Sequence, residues 1–186
     1  MTRIILDEER YIVTVNDVLN DEECNTLIDL AEKTGFGAAP ITTARGPVMA
    51  TGIRNNERLM IDDPQRAHWL FMRLEDHLPA LINNWRLTGF NERLRFYRYD
   101  QGQRFRWHYD GAFIRNPNER SHVTVIVYLN DGFQGGETRF DRGRGPLTVT
   151  PKRGAALLFL HPVRHCGDVI HHGRKYVLRT DAMYVR

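Results

Sequence analysis

From residue 93 to the C-terminus, apolar and polar residues alternate in short runs, and this pattern limits the fold more than any other feature. "RLRFYRY", "RWHYD", "HVTVIVYLN", "GETRF", "LTVTP", "AALLFL" and "KYVLRTDAMYV" read as strands, because successive side chains of an extended chain point to opposite faces. Between them lie "DQGQ", "DGFQGG", "DRGRGP", "PKRG" and "HHGR", which carry the glycine, proline and aspartate that tight turns demand. Many short strands in succession bury their apolar faces by closing or by stacking as two sheets. The expected core over 93–186 is therefore an antiparallel barrel or jelly roll.

The first 92 residues are patterned differently. "RYIVTV" reads as a strand. Asn20 is placed to cap a helix with Glu23 as its capping-box partner, and Cys24, Leu27, Ile28 and Ala31 follow at helical spacing. Gly35 is a stop, and residues 35–52 read as a Gly/Pro/Thr-rich loop with strand character near its end. Asp63 and Pro64 open a second helix whose apolar face is Trp69, Leu70, Leu74 and Leu78, before Pro79 interrupts. The expected class is α+β, mainly β: a single domain over 1–186, with helical support and a lid region in 1–92 packed outside the strand-rich core.

Composition excludes several classes. The 186 residues are 41% hydrophobic and 26% charged, ordinary for a globular chain. No repeat or low-complexity tract appears. Charges come too early in "MTRIILDEERYIV" for a signal peptide, and the longest apolar run, "AALLFL", is too short to span a bilayer; no membrane partner is expected. Cys24 and Cys166 make no disulfide framework, so a cytoplasmic location is the expectation. The net charge is +3, and only three of the 26 basic residues are lysines (Lys33, Lys152, Lys175). Acidic residues are scattered among the arginines, so nucleic acid is not the expected partner. Nothing in the chain indicates its oligomeric state.

"RWHYDGAF" places His108 and Asp110 two positions apart, a spacing that turns both to the same face of a strand. Two readings are open: a hydrogen-bonded pair in the core, or two thirds of a metal site. Two histidines and one carboxylate that leave coordination positions free form the ligand set of non-haem iron(II) oxygenases. Downstream, "HPVRHCGDVIHHGRK" offers His161, His165, His171 and His172 as a third ligand.

The motifs "YDQGQRFRWHYD", "VTVIVYLND", "GGETRF", "PKRGAALLF" and "HCGDVIHHGRKYVLRTDAMY" occur in this order over roughly 93–185. On them the chain resembles the prolyl 4-hydroxylase-like branch of the 2-oxoglutarate/iron(II)-dependent dioxygenases. The resemblance implies a double-stranded β-helix, the jelly-roll or cupin-like type. It also implies iron(II) on His108, Asp110 and His165, since only His165 is followed by a small residue and Gly167 with a basic residue, Lys175, ten positions on. Lys175 and Tyr128 would hold the far carboxylate of 2-oxoglutarate, and Tyr99 matches a tyrosine near the iron. Alternation puts Thr124, Ile126 and Tyr128 on one face. Arg179 shares the face of Lys175 and Asp181, and is expected to pair with Asp181 or to meet substrate. One departure is Cys166, where the family often has glutamate.

The implied reaction hydroxylates a C–H bond with dioxygen while 2-oxoglutarate becomes succinate and carbon dioxide, and ascorbate keeps the iron reduced. A prolyl residue in a peptide or protein is the expected substrate, with a free amino acid or small metabolite as the alternative. The rivals are a cupin-like binding or sensing protein without turnover and a zinc hydrolase. Two segments, 36–58 and 111–121, are rich in glycine, proline or asparagine and carry Arg45, Arg54, Arg58, Arg115 and Arg120. They are expected to close over substrate, with Arg54, Asn55, Arg115 and Arg179 as the contacts.

Overall fold

A computed structural model describes residues 1–43, 46–143 and 145–186; Arg45, expected in the lid, lies outside them. The largest sheet runs in the order Thr2–Asp7, Ile12–Asn16, Ala156–Leu160, Glu119–Tyr128, Lys175–Val185, Arg93–Tyr99, Glu57–Asp62 and Gly37–Ala38. Facing it is a sheet of four short strands in the order Phe105–His108, His165–Gly167, Thr138–Asp141 and Pro146–Val149. Every pairing is antiparallel. This is the two-sheet jelly roll that the alternation calls for.

Alternation along the strands divides the apolar side chains between two cores. In Glu119–Tyr128, Val123, Val125 and Val127 face the helices, whereas Ile126 and Tyr128 face the smaller sheet. In Ala156–Leu160 the division is the same: Ala156 and Leu158 outward to the helices, Leu157 and Phe159 inward. Each fully buried side chain of this size contributes about 1.5–3 kcal/mol, so a one-residue slip would expose one core to water and bury polar residues in the other.

The two helices close the outer core. α1, Asp21–Thr34, begins at Asn20, whose side chain accepts from the Glu23 amide at 2.8 Å while the Glu23 carboxylate accepts from the Asn20 amide at 2.9 Å. It buries Cys24, Leu27 and Ala31. α2, Pro64–Leu74, is capped by Asp63 and buries Ala67, Leu70 and Leu74. Neither helix is long and apolar enough to cross a membrane.

Several elements differ from the sequence expectations. Thr2–Asp7 is a strand paired with Ile12–Asn16, although its alternation is weak and it lies at a sheet edge. Glu57–Asp62, inside the region read as helical support and lid, pairs along its whole length with Arg93–Tyr99. Segment 111–121 is only partly a loop, since Ile114–Asn116 pairs back on the start of Glu119–Tyr128. In each case hydrogen bonds to a distant or neighbouring strand decide the structure, and local periodicity does not reveal them.

Candidate metal centre and cosubstrate cavity

His108 and His165 are cross-strand partners in the smaller sheet, which brings their rings to 4.2 Å between centroids. Each ring has its Nδ1 against a main-chain carbonyl two residues upstream: His108 on Arg106 at 2.8 Å and His165 on Val163 at 2.9 Å. A carbonyl only accepts, so both rings carry their proton on Nδ1, and both Nε2 lone pairs are free. Asp110 lies between them, with Oδ1 at 3.7 Å from His108 Nε2 and Oδ2 at 3.6 Å from His165 Nε2.

Asp110 is not on the strand as expected. The strand ends at His108, and Asp110 reaches the site from the turn beyond it. Its place comes from the larger sheet: Thr124 Oγ1 donates to Oδ2 at 2.8 Å, and Arg179 Nη1 stands 3.2 Å from Oδ1.

The charge state suits a divalent cation. Burial, and then the neighbouring His165, pull the His108 pKa down to about 3, and burial lowers that of His165. Burial alone would raise the Asp110 pKa, but Arg179 and the two imidazoles hold it well below the usual carboxylate range. At neutral pH the cluster is two neutral imidazoles and a carboxylate, all within 4.8 Å of one another, the deprotonated donor set that a metal requires. Two nitrogens and a carboxylate oxygen fit iron(II) and leave other positions open.

Behind Asp110 runs a hydrogen-bond chain absent from the sequence reading. The Phe113 amide donates to Ser121 Oγ at 2.8 Å. Ser121 Oγ is 2.7 Å from His161 Nε2, and His161 Nδ1 is 2.9 Å from Thr124 Oγ1. Since Thr124 gives its proton to the carboxylate, it accepts from His161 Nδ1–H, and His161 Nε2 accepts from Ser121. All the donors therefore point the same way, toward Asp110. His161 is 4% exposed and reaches the metal cluster only through Thr124, whereas His171 and His172 are exposed.

The other end of the cavity holds Lys175. The residue is 4% exposed, and its ammonium donates to the Gly136 carbonyl at 2.6 Å and lies 5.3 Å from the Tyr128 ring centre and 5.6 Å from that of Tyr99. No carboxylate among the described residues forms an ion pair with it. Burial lowers its pKa to about 8. A buried cation with one carbonyl for company is a seat for an anion. Beside it the Tyr128 hydroxyl shares a 2.7 Å hydrogen bond with Thr138, so two hydroxyls and an ammonium converge. Gly136, at φ +72°, allows this approach, because a Cβ there would meet Ile170 at 2.4 Å and Lys175 at 3.3 Å.

A metal-ligand cluster and an anion seat in one cavity are what a metal-chelating dicarboxylate cosubstrate needs. Residues 94–180 match the model of the 2OG-Fe(II) oxygenase superfamily. The chain is 30% identical over 192 residues to probable prolyl 4-hydroxylase 10 of Arabidopsis thaliana, covering 83% of this chain and 59% of that protein. The match and the relative support a 2OG-Fe(II) oxygenase assignment, of the kind related to prolyl 4-hydroxylases. Among solved structures the chain resembles a prolyl hydroxylase from Trichoplax adhaerens in complex with a hypoxia inducible factor peptide fragment, with a TM-score of 0.70 at 19% identity over 92% of this chain and 82% of that one. It also resembles the viral collagen prolyl hydroxylase of Paramecium Bursaria Chlorella virus-1, with a TM-score of 0.65 at 20% identity over 97% and 99% of the two chains. These likenesses establish the double-stranded β-helix fold.

The expected substrate residues fall in different places. Arg179 lies in the cavity, paired with Asp110 and, at 3.0 Å, with Asp181. Arg54 is 5% exposed, with its guanidinium over the rings of Tyr97 and Phe105 at 4.5 and 4.6 Å. Asn55 is exposed and bonds the backbone of Arg104 and Gly102, which fastens its segment to the turn before Phe105. Arg115 forms surface ion pairs with Glu92 and Glu119. Cys166 is buried, and burial raises its thiol pKa, away from the thiolate that oxidation needs.

Sequence reasoning missed Thr138, Tyr97, Phe105 and the role of Thr124. "GGETRF" and the alternation of Thr124 with Tyr128 contain the signal for two of them. The stacking of Phe105 on His108, at 3.5 Å between ring centres, depends on a bulge between the two that alternation does not disclose.

Proposed function

We propose that this chain is an iron(II)- and 2-oxoglutarate-dependent dioxygenase that hydroxylates a C–H bond, with a prolyl residue of a peptide or protein as the substrate. One observation carries the reading: a buried lysine without a carboxylate partner shares a cavity with a His-Asp-His cluster whose Nε2 lone pairs are free. The chain spans 59% of the length of the Arabidopsis relative, and the prolyl assignment is taken from that protein's name.

When bound, iron(II) and 2-oxoglutarate supply the oxidation, placing one atom of dioxygen in the substrate C–H bond and the other in succinate as carbon dioxide leaves. The rest is done by the protein. His108, Asp110 and His165 hold the metal, and the two main-chain carbonyls fix the tautomer of the imidazoles. Lys175, Tyr128 and Thr138 bind the far carboxylate and so orient the keto acid toward the metal. The aromatic walls, Tyr97, Tyr99 and Phe105, exclude water. Ascorbate serves as the reductant that keeps the iron reduced, and the segments around Arg54 and Ile114 admit substrate.

The test is succinate formation from 2-oxoglutarate with iron(II), followed by a mass screen of proline-containing peptides for the gain of one oxygen atom. Absence of both 2-oxoglutarate binding and succinate would overturn the reading. Binding without succinate under any substrate points instead to the cupin-like sensor.

A further inference from the structure

Beside the metal end of the cavity, which Arg179 lines, lies more positive charge than the metal site uses. Strand pairing puts three arginines on the face that looks between the sheets. Arg95 shares that face with Tyr97, Arg58 is the cross-strand partner of Tyr97, and Arg179 is the cross-strand partner of Arg95. Leu94 and Phe96 of the same strand face the helices, so the orientation of the set is not in doubt. Arg54 enters from the opposite side, bridged to Phe105 of the smaller sheet, and lays its guanidinium on Tyr97.

The partners of these four are few. Arg95 pairs with Asp181 at 2.8 Å, and Arg179 divides itself between Asp181 and Asp110. Asp110 belongs to the metal. Arg54 donates Nε–H to Asn56 at 2.7 Å, while its Nη2 is buried without a hydrogen-bond partner. Arg58 makes no ion pair among the described residues; burial lowers its pKa, Tyr97 opposes the shift, and the other three guanidinium groups add to it. Among the described residues Asp181 is thus the one carboxylate besides the metal-site Asp110 that forms an ion pair with this set, while Arg54, its buried member, keeps Nη2 without a partner; a buried cation short of partners is retained where a ligand neutralises it.

2-Oxoglutarate does not account for this charge. Lys175 and Arg179 are four residues apart on one strand, about 13 Å at 3.3 Å per residue, so the arginines lie at the metal end, away from the seat of the far carboxylate. Resting on the proposed dioxygenase reading, we infer that Arg54, Arg58, Arg95 and Arg179 form the seat for a carboxylate on the substrate, and that the enzyme selects C–H donors carrying one. That carboxylate belongs either to an acidic side chain beside the target residue or to a chain terminus. Planar guanidinium forks suit either source.

The test uses capped peptides with a central prolyl residue followed by aspartate or by asparagine, and shorter ones ending at proline as the free acid or as the amide. First, anaerobic iron(II) and 2-oxoglutarate are added and the absorption band of their chelate is recorded; without that band in the wild type, the dioxygenase reading fails, independently of the arginines. With the band present, the acidic probes perturb it, and the matched amides do so only at concentrations higher by roughly tenfold or more. The aspartate and free-acid arms tell the two sources apart. Arg58→Gln, at a half-exposed position, reduces this preference while the chelate band persists, and Arg58→Lys retains part of it. Equal response to acid and amide, silence of both acids, or an unchanged preference in Arg58→Gln would overturn the inference.

Discussion

His108 and His165 stand on strands of four and three residues, whereas Tyr128 and Lys175 stand on strands of ten and eleven. The two ends of the cavity are therefore held in different ways. At the lysine end, the long strands are hydrogen-bonded to each other and to a further strand on each outer side, so the backbone ladder positions the side chains. At the metal end, the first short strand carries a bulge and stops before Asp110. The ligands there are oriented by single contacts: a carbonyl for each imidazole, and Thr124, Arg179 and the Ser121–His161 chain for the carboxylate. Substitutions at the lysine end should remove a charge and leave the geometry, while those at the metal end should disturb neighbours as well.

The largest effect expected is at the metal end. Asp110→Ala or His165→Ala should abolish 2-oxoglutarate turnover. In the wild type, metal at about 100 times its dissociation constant should stabilise the fold by about 2.7 kcal/mol, and this shift should vanish in either variant. Calorimetry with and without a chelator measures it. A retained metal-dependent shift in His165→Ala would mean that His165 is not a ligand.

Lys175→Ala comes next. It should weaken 2-oxoglutarate binding by about 2–5 kcal/mol, the usual penalty for leaving a buried charge without its partner, with metal binding intact. Anaerobic titration separates the two. Lys175→Met should also raise the melting temperature of the ligand-free protein, since an unpaired buried ammonium is removed.

His161→Ala and Thr124→Val test whether the chain behind Asp110 matters to the metal end alone. Loss of such outer contacts costs about 10–100-fold in metal affinity or activity, and 2-oxoglutarate binding to a metal-loaded protein should suffer less. Normal metal affinity in both variants would show that Arg179 suffices to hold the carboxylate.

The pH dependence distinguishes the ends without mutation. The folded pKa of Lys175 is lowered from 10.5 to about 8. Between these values the unfolded chain binds the extra proton, so the contribution of Lys175 to stability rises with pH across this window. Affinity for 2-oxoglutarate should fall in the same window as the ammonium is lost, and Lys175→Met should show neither trend. The smallest effect is that of Tyr128→Phe, about 1.5–3 kcal/mol for a hydrogen bond to a charged ligand, read in the same titration.

Much of the architecture was legible before the structure. Alternation marked the strands of the core and assigned Tyr128 to the inner face, because a period of two is a local property. The capping box at Asn20 and the Asp63–Pro64 start are local as well. Glu57–Asp62 was not legible: "ERLMID" has the alternation of a helix-backed strand only once Leu59 and Ile61 are known to pack against the helices.

By itself the sequence determined which residues have chemistry to offer: an H-x-D spacing, four candidate histidines downstream, and a lysine in a chain that otherwise uses arginine. Only the tertiary structure decided among them. It set His165 against His108 by cross-strand pairing and placed His161 two hydrogen bonds behind the metal, through Thr124 and Asp110. It also gathered Arg54, Arg58, Arg95 and Arg179 around Tyr97 from three separate stretches of chain. The physical reason is that a period of two fixes a side chain's face but not its neighbour across the sheet. That neighbour is set by register between strands tens of residues apart, which is established only when both cores are buried together.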